Sequence, residues 1–147
     1  MIYLAQPYTH PKKKVMKRRY LDGMIAASAL FELGEDVYAP IVHWHQAAIH
    51  CKLPKDAAFW MKHNFHMLEL SEGMAILPLN GWFDSVGLRG EIDHAVKKNV
   101  PLFVVQRVRE YALHSIDGHK LQRELYDGTH LGESESNTGD FIWTFGG

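Results

Sequence analysis

The stretch from Asp84 to Glu91, DSVGLRGE, carries the residues best suited to chemistry. Glu91 falls in the first turns of a helical pattern that puts Leu88, Ile92, Ala95 and Val96 on one face. The partial positive charge of a helix N-terminus favours an ionised carboxylate there. An ionised glutamate can attack the anomeric carbon of a sugar. Six residues earlier, Ser85 offers a neutral hydroxyl just before the helix. With the backbone N–H groups around Val86 and Gly87 it makes a phosphate cradle, which a carboxylate at the same position would repel. Glu72, Asp84 and Asp93 are further carboxylates, any of which could protonate a leaving group if burial raised its pKa. The same residues also suit a plainer role: a favourable charge–dipole pair at Glu91 and a helix N-cap at Ser85.

These residues need elements to hold them. Met74 to Leu79 has the length and apolarity of a buried strand. Pro78, Asn80, Gly81 and Asp84 supply turn chemistry before the Glu91 helix. Strand, polar loop, helix is how open α/β sheets build sites at the C-terminal ends of strands. Ile2 to Ala5 reads as a first buried strand, and Gln6 to His10 as the polar loop after it. Pro11 suits a first helical position, with Thr9 or His10 as cap, and the helix runs to about Leu33 with Gly34 as its stop. Leu21, Met24, Ile25, Ser28 and Phe31 mark its expected inner face. Lys12, Lys13, Lys14, Lys17, Arg18 and Arg19 make its first half basic, a solvated face from which one or two cations could draw an anion.

Asp36 to Pro40 is a second strand in this reading, and Ile41 to Leu53 a loop carrying His43, Trp44, His45 and His50. Pro54 opens a helix that ends near Ser71, with Trp60, Met61, Phe65 and Leu68 on its apolar face. Val100 to Val105 is the next strand, Gly118 to Tyr126 a short helix, Gly128 to Gly139 a loop, and Phe141 to Phe145 a last, edge strand. Strands alternating with helices predict an α/β, single-domain, flavodoxin-like (Rossmann-like) parallel sheet. It would have about five strands in the order 2-1-3-4-5, with helices on both faces. The loops Gln6 to His10 and Asn80 to Ser85 would then flank one crevice.

A length of 147 residues suits one domain with a real core. A hydrophobic share of 46% with 22% charged residues is that of an ordinary soluble globular chain. The net charge of −1 argues against binding a nucleic acid polymer through its backbone. Cys51 is the one cysteine, so neither an internal disulfide nor an all-cysteine metal site can form. No apolar run spans a bilayer and no signal-peptide pattern opens the chain, so a cytoplasmic protein without membrane contact is expected. There are ten histidines, but neither His43 with His45 nor His63 with His66 brings a carboxylate at a metal-site spacing, and no metal is expected. Trp44, Trp60, Trp82 and Tyr8 offer flat surfaces for stacking a base, and Trp82 is best placed to line the pocket.

The core Ser85-x-Gly87-x-x-x-Glu91 within SVGLRGEIDHA resembles the nucleoside 2-deoxyribosyltransferase superfamily. The opening IYLAQPYTHP and the stretch LELSEGMAILPLNGW fall in the same order as in that family. The resemblance spans roughly residues 1 to 105 and is nearest to a small bacterial and phage subgroup. It implies that Glu91 is the nucleophile, attacking C1′ of a (deoxy)ribonucleoside or nucleotide and expelling the base. Water or a second base would then take the sugar. It implies that Tyr3 orients the nucleophile. It further implies that the residue at position 85 sets the substrate: aspartate for nucleosides, serine for nucleoside 5′-monophosphates. Glu72 stands where the family usually has an aspartate, and Asn64 where the preceding helix often has one. Arg89 replaces a frequent glycine and could reach a phosphate. The expected activity is N-glycosidic hydrolysis of a (deoxy)nucleoside 5′-monophosphate, without a cofactor. The alternatives are base exchange between nucleosides and sequestration of a nucleotide without turnover. A homodimer is implied by the family.

Overall fold

The computed structural model describes residues 1–107, 110–127, 132–135 and 141–144. The first strand, β1, is Ile2–Ala5, followed by helix α1, Lys13–Glu32. Strand β2 is Val37–Tyr38, and helices α2, Pro40–His50, and α3, Ala57–Glu69, precede strand β3, Gly73–Ile76. A single 3-10 turn, Trp82–Asp84, leads into α4, Val86–Lys97. Strands β4, Leu102–Arg107, and β5, Tyr111–Ile116, are followed by α5, Gly118–Asp127. Strands β6, Gly132–Glu135, and β7, Phe141–Thr144, complete the described elements.

Strands β2, β1, β3 and β4 are parallel neighbours in that order, with Tyr3 opposite both Tyr38 and Met74. β5 lies on the far side of β4, giving the order 2-1-3-4-5. It runs antiparallel, however, pairing with β4 from Leu102↔Ile116 to Arg107↔Tyr111. Residues 108–110 alone separate the two strands, and a parallel neighbour would need a crossover of a dozen residues or more. The expected last strand, Phe141 to Phe145, is β7 instead, which joins β4 at Arg107↔Phe141 and pairs with β6. Among the described residues the sheet therefore has seven strands. β6 falls inside the stretch expected to be a loop, Gly128 to Gly139; residues 128–131 and 136–140 lie outside those described.

Alternation along the strands divides the core in two. Tyr3, Ala5, Met74, Ile76, Leu102 and Val104 face one side, where Leu68, Leu88, Ile92, Ala95 and Leu121 of α3, α4 and α5 cover them. Ile2, Leu4, Ala75, Leu77 and Val105 face the other, against Ala26 and Leu30 of α1.

Four sequence expectations change. The inner face of α1 is Gly23, Ala26 and Leu30, while Met24 and Ile25 are exposed and Phe31 is 69% exposed. The reason is proximity. A Cβ at Gly23 would sit 1.9 Å from Gln6 Oε1, so only a stripe of small residues lets α1 come this close. Gly34, with φ +95°, stops the helix as expected, whereas its start moves to Lys13 with no side-chain cap. The segment expected to be a loop after Pro40 is α2, with Pro40 in its first turn, where the missing N–H costs nothing. α3 starts at Ala57 rather than Pro54, because Asp56 accepts a hydrogen bond from the Phe59 N–H at 2.9 Å and caps it.

Candidate active site

Strand β1 sends the Tyr3 side chain to the side covered by α3 and α4. Helix α4 turns Glu91 back toward the same side, one and a half turns in from its start. The two meet: the Tyr3 hydroxyl donates to Glu91 Oε1 at 2.6 Å, both groups buried. Asn64, from α3, extends its Nδ2 toward the same oxygen at 3.4 Å. Its buried Oδ1 has no hydrogen-bond partner among the described residues. Glu91 is only 6% exposed.

Burial decides the electrostatics. It pushes the Glu91 carboxyl up from 4.5 to about 7, against the pull of hydrogen bonds from Tyr3 and Asn64 that favour the ionised form. The helix-terminus charge expected to keep Glu91 ionised is thus outweighed by desolvation. Burial and the neighbouring carboxylate push the Tyr3 hydroxyl far above its usual range, so it keeps its proton and donates it. Near neutral pH Glu91 stands close to the midpoint between acid and base.

Ser85 caps α4, its Oγ accepting from the Leu88 N–H at 3.3 Å. The amides of Val86 and Gly87 belong to the first helical turn, where no intrahelical carbonyl is available to them. Gly87 is exposed, with open space where a Cβ would point. The serine and the amides therefore sit together at the mouth of α4, as the spacing suggests.

Other expected site residues are placed elsewhere. Glu72 lies before the first residue of β3, at the N-terminal end of the strand. Its side chain is 83% exposed and faces the Met1 amino group at 3.4 Å. A residue just before a parallel strand sits at the opposite end of the sheet from the loops that follow it, so Glu72 is not brought to Glu91. Trp82 is 1% exposed and packed in the core under α4 beside Phe83, with no face open for a base. Tyr8 is half-buried and shares a 2.6 Å hydrogen bond with His45 Nδ1, and Tyr20 stacks on that imidazole. Arg89 donates from Nη2 to the Phe83 carbonyl at 2.9 Å and lies over the Tyr126 ring, bracing the loop before α4.

The loop after β1 is likewise committed. Gln6 is buried and donates to the Arg19 carbonyl, and Arg19 donates to the carbonyls of Tyr8, Thr9 and Asn80. Beside Tyr3 the same side of the sheet continues into β2 and α3. Tyr38, opposite Tyr3 in the sheet, has its ring centroid 5.9 Å from that of Tyr3. The Tyr38 hydroxyl lies 3.1 Å from His63 Nε2 and accepts from Trp44 Nε1 at 3.1 Å. Sequence reasoning missed Tyr38 and gave His63 no part in the site. The signal available was the register of two parallel strands, which puts Tyr38 beside Tyr3.

Residues 1–107 match a family model described as a domain of unknown function (DUF1937), and the chain belongs to that family. The match runs from β1 through β4 and contains Tyr3, Tyr38, His63, Asn64, Ser85 and Glu91. No curated protein matches the chain.

Proposed function

We propose that this member of the family hydrolyses the N-glycosidic bond of a (deoxy)nucleoside 5′-monophosphate, with Glu91 as nucleophile. The observation that carries the reading is the buried carboxylate of Glu91, held at 2.6 Å by the Tyr3 hydroxyl beneath the mouth of α4. A structural glutamate gains little from such a place, since desolvation disfavours its charge. A nucleophile gains orientation, because the hydrogen bond on Oε1 leaves the other oxygen to form the bond to C1′. The resulting glycosyl ester is then opened by water. The orphaned Asn64 Oδ1 suits a hydroxyl of the sugar. Ser85 and the amides of Val86 and Gly87 suit the 5′-phosphate. A dianion there gains from the helix dipole, whereas a neutral 5′-hydroxyl does not.

The test is incubation with each common ribo- and deoxyribonucleoside 5′-monophosphate, followed by chromatography for free base and the 5-phosphosugar. The wild-type protein is expected to release both, and Glu91→Ala to lose at least about a thousandfold in rate. A wild-type protein that binds a nucleotide and returns it intact would make the chain a binding protein. Formation of a new nucleoside on adding a second base would make it a transferase.

A further inference from the structure

Breaking a bond between C1′ and a base leaves an electron pair on the base nitrogen, which needs a proton. Among the described residues, the groups hydrogen-bonded to Glu91 are Tyr3 and Asn64, neither of them a carboxylic acid. Glu72 is at the other end of the sheet, Asp93 accepts from Gln122 and Tyr126, and the Tyr3 hydroxyl directs its hydrogen bond to Glu91. A hydrogen-bonded hydroxyl beside Tyr3 is a further source of a proton.

We propose that the Tyr38 hydroxyl delivers that proton and that His63 stands behind it as a positioning residue that supplies the replacement. The proposal rests on the glycosidase reading above. A phenolic hydroxyl has one proton to donate and two lone pairs to accept with. The Trp44 indole N–H, which can only donate, takes one lone pair at 3.1 Å. With its proton on Nε2, His63 takes the other at 3.1 Å. The Tyr38 O–H then has neither neighbour left to serve and turns to a third group, the departing base. The Trp44 donor favours the phenolate, but burial outweighs it and holds the Tyr38 hydroxyl above its usual range, so the proton stays on Tyr38 until a base nitrogen draws it. The position fits: Tyr38 stands beside Tyr3, and His63 precedes Asn64 on α3, so both flank the groups that hold the nucleophile.

The step balances. Glu91 forms a bond to C1′ as the C1′–N bond breaks. In the proposed step His63 starts with protons on both ring nitrogens: the base nitrogen takes the Tyr38 proton, and the His63 Nε2 proton moves to the Tyr38 oxygen, leaving His63 neutral with its proton on Nδ1. Water then attacks C1′, the bond to Glu91 breaks, and the proton lost by water returns through Tyr38 to His63. The titratable groups beside Tyr38 are Tyr3 from β1, His63 from α3 and His43 from α2, whose ring lies 5.7 Å away.

The experiment compares two leaving groups. One substrate is a nucleotide cleaved by the wild-type protein. The other is 4-nitrophenyl 2-deoxyribose 5-phosphate, whose nitrophenolate departs as a stable anion without a proton. Tyr38→Phe and His63→Gln are each expected to lose at least about a hundredfold in kcat on the nucleotide, and less than about threefold on the nitrophenyl substrate. The nitrophenyl rate also reports that each variant is folded and that Glu91 is competent. The alkaline limb of the nucleotide pH profile is expected in the wild-type protein and absent from its nitrophenyl profile. Equal losses on both substrates, or no loss on either, would overturn the proton-donor assignment while leaving the glycosidase reading intact. A wild-type protein inert toward both substrates would overturn both.

Discussion

At Glu91, burial and hydrogen bonding pull in opposite directions, and burial is stronger. A carboxyl raised from 4.5 to about 7 in the folded chain binds a proton that the unfolded chain has already released. Stability from this residue is therefore highest below about pH 4.5 and declines as pH rises to about 7. The total loss is about 3 kcal/mol, from about 1.4 kcal/mol per pH unit. Glu91→Gln keeps the shape and an acceptor for the Tyr3 hydroxyl but carries no charge. It is expected to unfold at higher denaturant concentration than the wild-type protein at pH 8, with the gap closing toward pH 5. Equal stability of the two at pH 8 would show that Glu91 is solvated rather than buried. A residue that lowers stability in its ionised form is the kind kept for function rather than for folding.

The start of α4 serves two purposes that substitution can separate. Ser85 caps the helix through Leu88 and, in the proposed function, meets a phosphate with the same first turn. Ser85→Ala removes the cap and is expected to cost about 1 kcal/mol of stability. Ser85→Asp keeps a capping oxygen and adds a negative charge, so stability should stay close to wild type. Calorimetry with a nucleotide and its matching nucleoside checks the second purpose. Ser85→Asp is expected to weaken the nucleotide at least about tenfold and leave the nucleoside nearly unchanged, because the aspartate repels only the phosphate. Equal weakening of both would place the phosphate elsewhere.

Across the whole molecule, the two loops that leave the C-terminal ends of β1 and β3 are joined by one side chain. Arg19 of α1 donates to the carbonyls of Tyr8 and Thr9 on one loop and of Asn80 on the other, at 2.9 to 3.3 Å. Burial lowers its pKa, yet the guanidinium stays charged and keeps its forked donors. Arg19→Ala leaves these carbonyls to water, two of them exposed, and is expected to cost about 1 kcal/mol. Faster amide hydrogen exchange is expected in both loops together. Arg19→Lys should recover little of this, since one ammonium cannot span the two loops as a fork does. Exchange that rises in one loop only would show that Arg19 does not couple them. In sequence this arginine belongs to a basic run that reads as a solvated face. The packing of α1 singles it out.

Local physics made much of this protein legible in the residues themselves. Short apolar runs place β1, β3 and β4, and alternation with helices gives the parallel order 2-1-3-4. Glycine at position 34 ends α1, and a serine before a helical run gives the cap of α4. Each of these depends on neighbours a few positions away. What depended on distant neighbours was decided only by the folded chain. The face α1 buries follows from how closely Gln6 approaches Gly23. The place of β5 follows from the edge of β4 that β3 leaves open. Spacing put Glu91 near Ser85, but its near-neutral pKa comes from desolvation among Tyr3, Asn64 and two helices, fixed only when β1, α3 and α4 converge. The Tyr38–His63 pair, 25 positions apart in the chain, exists for the same reason. A sequence sets which groups are available, and the dielectric and partners around each group are properties of the assembled tertiary structure.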